Sequence, residues 1–175
     1  MTEFIHEPVL LEEVLLALQP AAGRLYVDGT VGGGGHAEAI LEASSPGGRL
    51  VAFDRDDRAI TAAAKRLVRF GDRLELHREP FSGLAKRLAE ASSEGVVPDL
   101  GVSSPQLDEP ERGFSFQTEG PLDMRMDHRQ SMTAEQLVNG LEAEELARII
   151  WELGGERRSR RIARAIVEQR DMQRF

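Results

Sequence analysis

The chain has 175 residues, 41% of them apolar, enough for one domain with a substantial core and barely enough for two. Its 22 basic and 30 acidic side chains give a formal charge of −8, which argues against a broad basic surface for nucleic acid but leaves room for a local basic patch. The absence of cysteine excludes disulfides and thiolate ligands and agrees with a reducing compartment, and no run approaches the ~18 apolar residues of a membrane span. The opening MTEFIHEPVLLEEV lacks the basic-then-apolar order of a signal peptide, so a cytoplasmic protein with no membrane partner is expected.

Residues 8–19, PVLLEEVLLALQ, repeat apolar positions at helical spacing with Glu12 and Glu13 on the other side, which predicts an amphipathic helix opened by Pro8. RLYVD (24–28) is a short apolar strand ending in Asp28, and after the glycines of VDGTVGGGGH helical spacing resumes over His36–Ala43. A Pro-Gly-Gly turn at 46–48 leads into RLVAFD, a second buried strand ending in Asp54. DDRAITAAAKRLVRF predicts a helix, RLELHREPF a third strand and SGLAKRLAEAS another helix. This alternation implies βαβ units and a parallel sheet. From Asp99 to Gln130 scattered prolines and glycines break every period, which predicts a long loop region. From Thr133 onward two or three helices follow, the last two separated by Gly154 and Gly155.

A glycine-rich turn between strand and helix lets backbone approach a ligand closely and aims the helix's free amides and positive dipole end at it. Gly32, Gly34 and Ala37 fit the loose G-x-G-x-x-G/A dinucleotide fingerprint, and Asp54 ends the next strand where an acid can grip both hydroxyls of a ribose. Asp28, just before the glycines, repels a pyrophosphate and suits a ligand carrying an ammonium and a sulfonium. S-adenosylmethionine meets that demand better than NAD. Phe81, past the third strand, either stacks on adenine or packs in the core, and His36 either contacts ligand or serves the helix start. The histidines, at 6, 36, 77 and 128, are not paired with acids at metal spacing, so no metal site is expected. Ser103 and Ser104 have neither a nucleophile elbow nor an evident histidine partner. Arg157, Arg158, Arg160, Arg161 and Arg164 form a basic patch, read either as the wet face of a helix burying Ile162, Ala163, Ile166 and Val167 or as a phosphate-holding surface.

DLGVSSPQLDEPERGFSF (99–116) followed by GPLDMRMD (120–127) closely resembles the bacterial 16S ribosomal RNA cytosine-N4 methyltransferase family, called RsmH or MraW. HEPVLLEEV, DGTVGGGGH, FDRDDRAI, REPFSGL and GGERRSRRIARAIVEQR extend the resemblance over nearly the whole chain. The resemblance implies an α/β fold: a Rossmann-like class I S-adenosylmethionine-dependent methyltransferase core with a parallel sheet and a helical inserted domain. In this chain residues 1–106 would be the N-terminal part of the cofactor-binding core and 107–175 a loop plus the inserted helices. It also implies methylation of the exocyclic amine of a cytidine near the decoding site, with 16S ribosomal RNA or the small ribosomal subunit as partner. Carried over by motif, the cofactor positions are Gly34, Gly35, His36, Asp54, Phe81, Asp99 and Gln106, beside Asp28 from the charge argument. The Ser-Ser-Pro-Gln stretch is similar to the Ser-Pro-Pro-aromatic loop of cytosine-N4 DNA methyltransferases, which makes Ser104, Pro105 and Gln106 the catalytic candidates. Arg112, Phe114, Arg125 and Asp127 either wall the RNA-facing side or pack the loop.

The chain departs from that family in two places. Only GVVP precedes Asp99 where a full apolar strand is expected, and Pro98 cannot donate to a central ladder, so this strand either pairs differently or lacks residues. The chain also stops at RDMQRF, within or just after the inserted helices, which predicts an incomplete sheet with an uncovered edge. Two rival readings follow: a shortened or inactive relative acting as a cofactor- or RNA-binding module, and an NAD-dependent oxidoreductase, which Asp28, the leading helix and DLGVSSPQ oppose.

Overall fold

The computed structural model describes residues 8–175; the signal-peptide reading of the first residues and His6 lie outside them. Residues up to Ser104 and residues from Pro105 onward form two compact units.

The first unit is built on a sheet of four parallel strands, β1 (Leu25–Asp28), β2 (Arg49–Phe53), β3 (Leu74–His77) and β4 (Gly95–Val97), in the order β3-β2-β1-β4. Alternation along each strand sends residues to opposite faces. Tyr26, Leu50 and Ala52 join Val31, Ile40, Leu41, Ala63 and Leu67 in the larger core, whereas Val27, Val51 and Phe53 face Leu84 and Leu88 in a smaller one. Helices α2 (Gly35–Ala43) and α3 (Asp57–Leu67) cover the first face, and Leu15 and Leu18 of α1 (Leu11–Leu18) pack against the same cluster.

Helix α1 starts at Leu11 rather than at Pro8, because Leu10 takes a left-handed conformation at φ 56° and separates the proline from the first turn. Strand β3 stops at His77, ahead of Pro80. Helix α4 spans only Leu84–Arg87 after a 3-10 turn at Phe81–Gly83, shorter than the helical spacing predicts; Leu88 is extended, and the chain turns toward β4, where the Glu94 amide donates to Leu25 O at 2.8 Å. The short segment before Asp99 does pair. Its three residues form an edge strand parallel to β1, in register Tyr26↔Gly95 to Asp28↔Val97, and Pro98 falls just beyond the ladder, where its missing donor costs nothing.

The second unit is helical: α5 (Ser104–Asp108, beginning in the first unit), α6 (Ala134–Gly140), α7 (Ala143–Glu152) and α8 (Ser159–Met172). The predicted loop therefore contains a helix through SSPQLD, with Pro105 in its first turn, where the missing N–H has no partner to lose. Thr133 and Gln136 close a reciprocal capping box at the start of α6, and the Arg170 side chain donates to the carbonyls of Val138 and Leu141 at its end. Leu146, Ala147 and Ala163 form this unit's small core with Ile150, Ile166 and Val167 against them. Ile162, expected inside, is 37% exposed. Among the described residues no helix is long and apolar enough to cross a membrane.

Candidate functional site

In an open parallel sheet ligands bind beyond the carboxyl ends of the strands where the strand order reverses, which here lies between β1 and β4. The chain leaving β1 crosses this point: the Gly29 amide donates to Val97 O and the Val31 amide to Phe53 O, each at 2.8 Å. Side chains then latch the turn. Asp28 Oδ1 accepts from the Thr30 amide (3.0 Å), and Thr30 Oγ1 accepts from the Asp99 amide (2.6 Å). Asp54 Oδ2 accepts from the Gly32 amide (3.0 Å) while its Oδ1 accepts from the Asp56 amide (2.9 Å). Asp28, Asp54 and Asp99 are thus gathered around one turn, by strands distant in sequence.

This gathering shapes the electrostatics. Asp28 is 2% exposed, and among the described residues no cationic side chain reaches salt-bridge distance of it. Burial above all, then repulsion from Asp54 and Asp99, pushes its carboxyl from the ordinary 3.8 up to about 7, against the Thr30 amide that favours ionisation. Burial also raises Asp54, opposed by the amides of Asp56 and Gly32. Such a carboxyl favours a cationic neighbour over an anionic one.

Phe81 is 38% exposed at this end of the sheet. A Cβ on Gly29 would meet Phe81 Cβ at 3.3 Å and Pro98 Cβ at 3.5 Å, so glycine permits the close approach of both. The other glycine-turn positions face elsewhere. Gly34 caps α2 at φ 84°, with Leu67 of α3 3.2 Å from the place of a Cβ, and a Cβ on Gly35 would meet the Pro8 ring at 2.9 Å. His36 Nε2 donates to Val9 O at 3.0 Å, tying α2 to the segment before α1. The structure therefore brings Asp28, Asp54, Asp99 and Phe81 together, while Gly34, Gly35 and His36 hold the turn against α3 and the N-terminal segment.

Ser104, Pro105 and Gln106 form the first turn of α5, where the two units meet in the chain, and Gln106 is buried. Within the second unit Arg125 is spent on its own loop: Nε and Nη2 grip Asp123 at 2.8 and 2.7 Å, and Nη1 donates to Gln130 O. The pair holds the Asp123 carboxyl down at about 2. Arg112 is buried, with Nη2 donating to the carbonyls of Arg125 and Met126, and Asp127 is gripped by Arg129 at 2.8 Å. For Arg112, Arg125 and Asp127 loop packing is the role the contacts describe.

Gly29 and Thr30 are not singled out by the sequence reading. For Thr30 the signal is an acid followed two residues on by the amide it captures, which recurs at Asp28–Thr30, Asp54–Asp56 and Asp56–Arg58.

Residues 3–175 match the profile of the MraW methylase family. The chain is 53% identical over 174 residues to the ribosomal RNA small subunit methyltransferase H of Geobacter sp. (strain M21), covering 98% of this chain and 56% of that protein. The namesake from Heliobacterium mobile is 50% identical over 175 residues, again covering 98% of this chain and 56% of the relative. The chain thus spans little more than half the length of these relatives. Among solved structures a SAM-dependent O-methyltransferase from Thermotoga maritima aligns over 65% of this chain and 38% of its own, at 16% identity and TM-score 0.46.

Proposed function

The chain belongs to the MraW methylase family, and on that premise we propose that it is part of an S-adenosylmethionine-dependent enzyme that methylates the exocyclic N4 amine of a cytidine in small-subunit ribosomal RNA, near the decoding site. The observation that carries the cofactor choice is Asp28, buried without a cationic side chain at the strand switch point. NAD would bring a pyrophosphate there; S-adenosylmethionine brings an ammonium and a sulfonium.

When bound, S-adenosylmethionine supplies a methyl group on a positively charged sulfur. Asp28 balances the positive charge. Asp54 accepts from the Gly32 amide on Oδ2 and the Asp56 amide on Oδ1, with the Arg55 amide also favouring its ionised form, and its remaining acceptor capacity would take ribose hydroxyls. Phe81 presents a ring face to adenine, and Asp99 and Gln106 join the set on the motif shared with the family. The glycine turn, with Gly34, Gly35 and His36, fixes the backbone that carries these groups.

The cytosine amine is a poor nucleophile because its lone pair is delocalised into the ring. Acceptors on Ser104, Pro105 and Gln106 that hold its N–H groups localise that pair toward the methyl group, so catalysis is placement and electrostatics without a covalent enzyme intermediate. In this reading residues 1–106 belong to the cofactor core and 107–175 to an inserted helical domain, the sheet being completed by the remainder of a longer protein.

The test is methyl transfer from labelled S-adenosylmethionine to small ribosomal subunits and to free 16S RNA, followed by nucleoside analysis. N4-methylcytidine is the expected product. Another methylated nucleoside contradicts the assignment, and cofactor binding without product from either substrate favours a binding module instead.

A further inference from the structure

Helices α7 and α8 pack through Leu146, Ala147 and Ala163, and on their outer side lies an open groove of about 940 Å³. Arg148, Trp151 and a single acid, Glu144, line it from α7, Arg157 and Arg158 from the connecting turn, and Arg160, Arg161 and Arg164 from α8. Arg148 pairs with Glu152 at 2.9 Å. Among the described residues the other five guanidinium groups have no carboxylate within salt-bridge distance, in a chain whose acids outnumber its bases. They also crowd the start of α8, which has no acid in its first turn, so they face the positive end of the helix dipole. A wet helix face needs no such concentration, and stability alone disfavours it. Trp151, 53% exposed, offers a flat aromatic surface among these charges.

We infer that this groove binds a single strand of RNA, its phosphates on Arg157, Arg160, Arg161 and Arg164 and a base stacked on Trp151. An unbalanced row of planar donors one helical turn apart suits successive phosphates, and an aromatic face beside them suits unpaired bases of any identity. The inference rests on the proposed RNA substrate and assigns a surface that holds it away from the reacting base.

The experiment titrates a short, labelled single-stranded RNA of mixed sequence into the chain at several salt concentrations, with S-adenosylmethionine calorimetry on the same proteins. Trp151 is the single tryptophan, so stacking reports itself as quenched intrinsic fluorescence. Arg160→Ala/Arg164→Ala is expected to weaken RNA binding roughly tenfold and to flatten the log–log salt dependence by roughly 1.4, from ~0.7 per phosphate contact. Trp151→Leu is expected to weaken binding about tenfold at an unchanged salt slope, with Trp151→Phe recovering most of it. Wild-type affinity in these variants, RNA binding without fluorescence quenching, or an acidic peptide or anionic vesicle taking the groove in place of RNA overturns the inference. Loss of RNA binding with cofactor binding intact fails the groove alone; loss of cofactor binding with RNA binding intact fails the methyl-transfer reading and leaves the groove standing.

Discussion

Among the described residues, Asp28 at the end of β1 is buried with no cationic side chain at salt-bridge distance, whereas Arg157, Arg158, Arg160, Arg161 and Arg164 around the start of α8 have no carboxylate at that distance. A third region, the loop from Asp123 to Gln130, matches its charges within itself: Arg125 on Asp123, Arg129 on Asp127. A matched pair satisfies its own donors and acceptors and holds a loop. An unmatched group has its charge still to be balanced, which is why the proposals assign a cationic ligand to Asp28 and a polyanion to the arginines of α8.

The largest expected effect comes from breaking the acidic side. Asp54→Ala removes the proposed ribose acceptor and releases the Gly32 and Asp56 amides together, and S-adenosylmethionine binding is expected to weaken by roughly 1–3 kcal/mol in calorimetry. An unchanged affinity removes Asp54 from the site.

Asp28 sharpens the comparison through pH. Its carboxyl sits at about 7 in the fold against 3.8 ordinarily, so the native state holds a proton that the unfolded chain releases. The stability this contributes is fully present below about pH 4 and is lost as pH rises toward about 7. A cationic ligand needs the ionised form, so affinity for S-adenosylmethionine is expected to fall by up to about tenfold per pH unit below about pH 7. Asp28→Asn is expected to flatten both profiles, read by denaturant unfolding and by calorimetry at matched pH.

Smaller effects test the turn and the matched loop. Thr30→Val strips the acceptor from the Asp99 amide and is expected to cost about 0.5–1.5 kcal/mol of stability in urea unfolding. Arg125→Ala is expected to lower the midpoint of thermal unfolding while leaving RNA affinity unchanged; a drop in RNA affinity breaks the distinction between matched and unmatched charge.

The parts of this picture legible in the sequence are those written locally. β1 and β2 show as apolar runs ending in acids, and the strand–glycine–helix order places Asp28 and Asp54 at one end of the sheet. β4 was obscure because three residues before a proline carry no periodicity, and only the open edge of β1 makes them a strand. α4 ended early because the chain had to reach that edge, a tertiary demand that overrode helical propensity. Gly35 enters the cofactor set through the family motif, yet its neighbour is Pro8, 27 positions away, and spacing says nothing of such contacts. In the same way, the basic run at 157–164 was visible as a string, but only the fold shows which arginines lack partners and that Trp151 stands among them.

The central claim is that the turn between β1 and α2 is built for a cationic nucleoside. Calorimetric titration with S-adenosylmethionine and with NAD, at about pH 8 and about pH 6, tests it most directly. The account predicts S-adenosylmethionine binding that weakens at the lower pH with proton release, and no NAD binding. NAD binding without S-adenosylmethionine binding, or S-adenosylmethionine binding indifferent to pH, would contradict it.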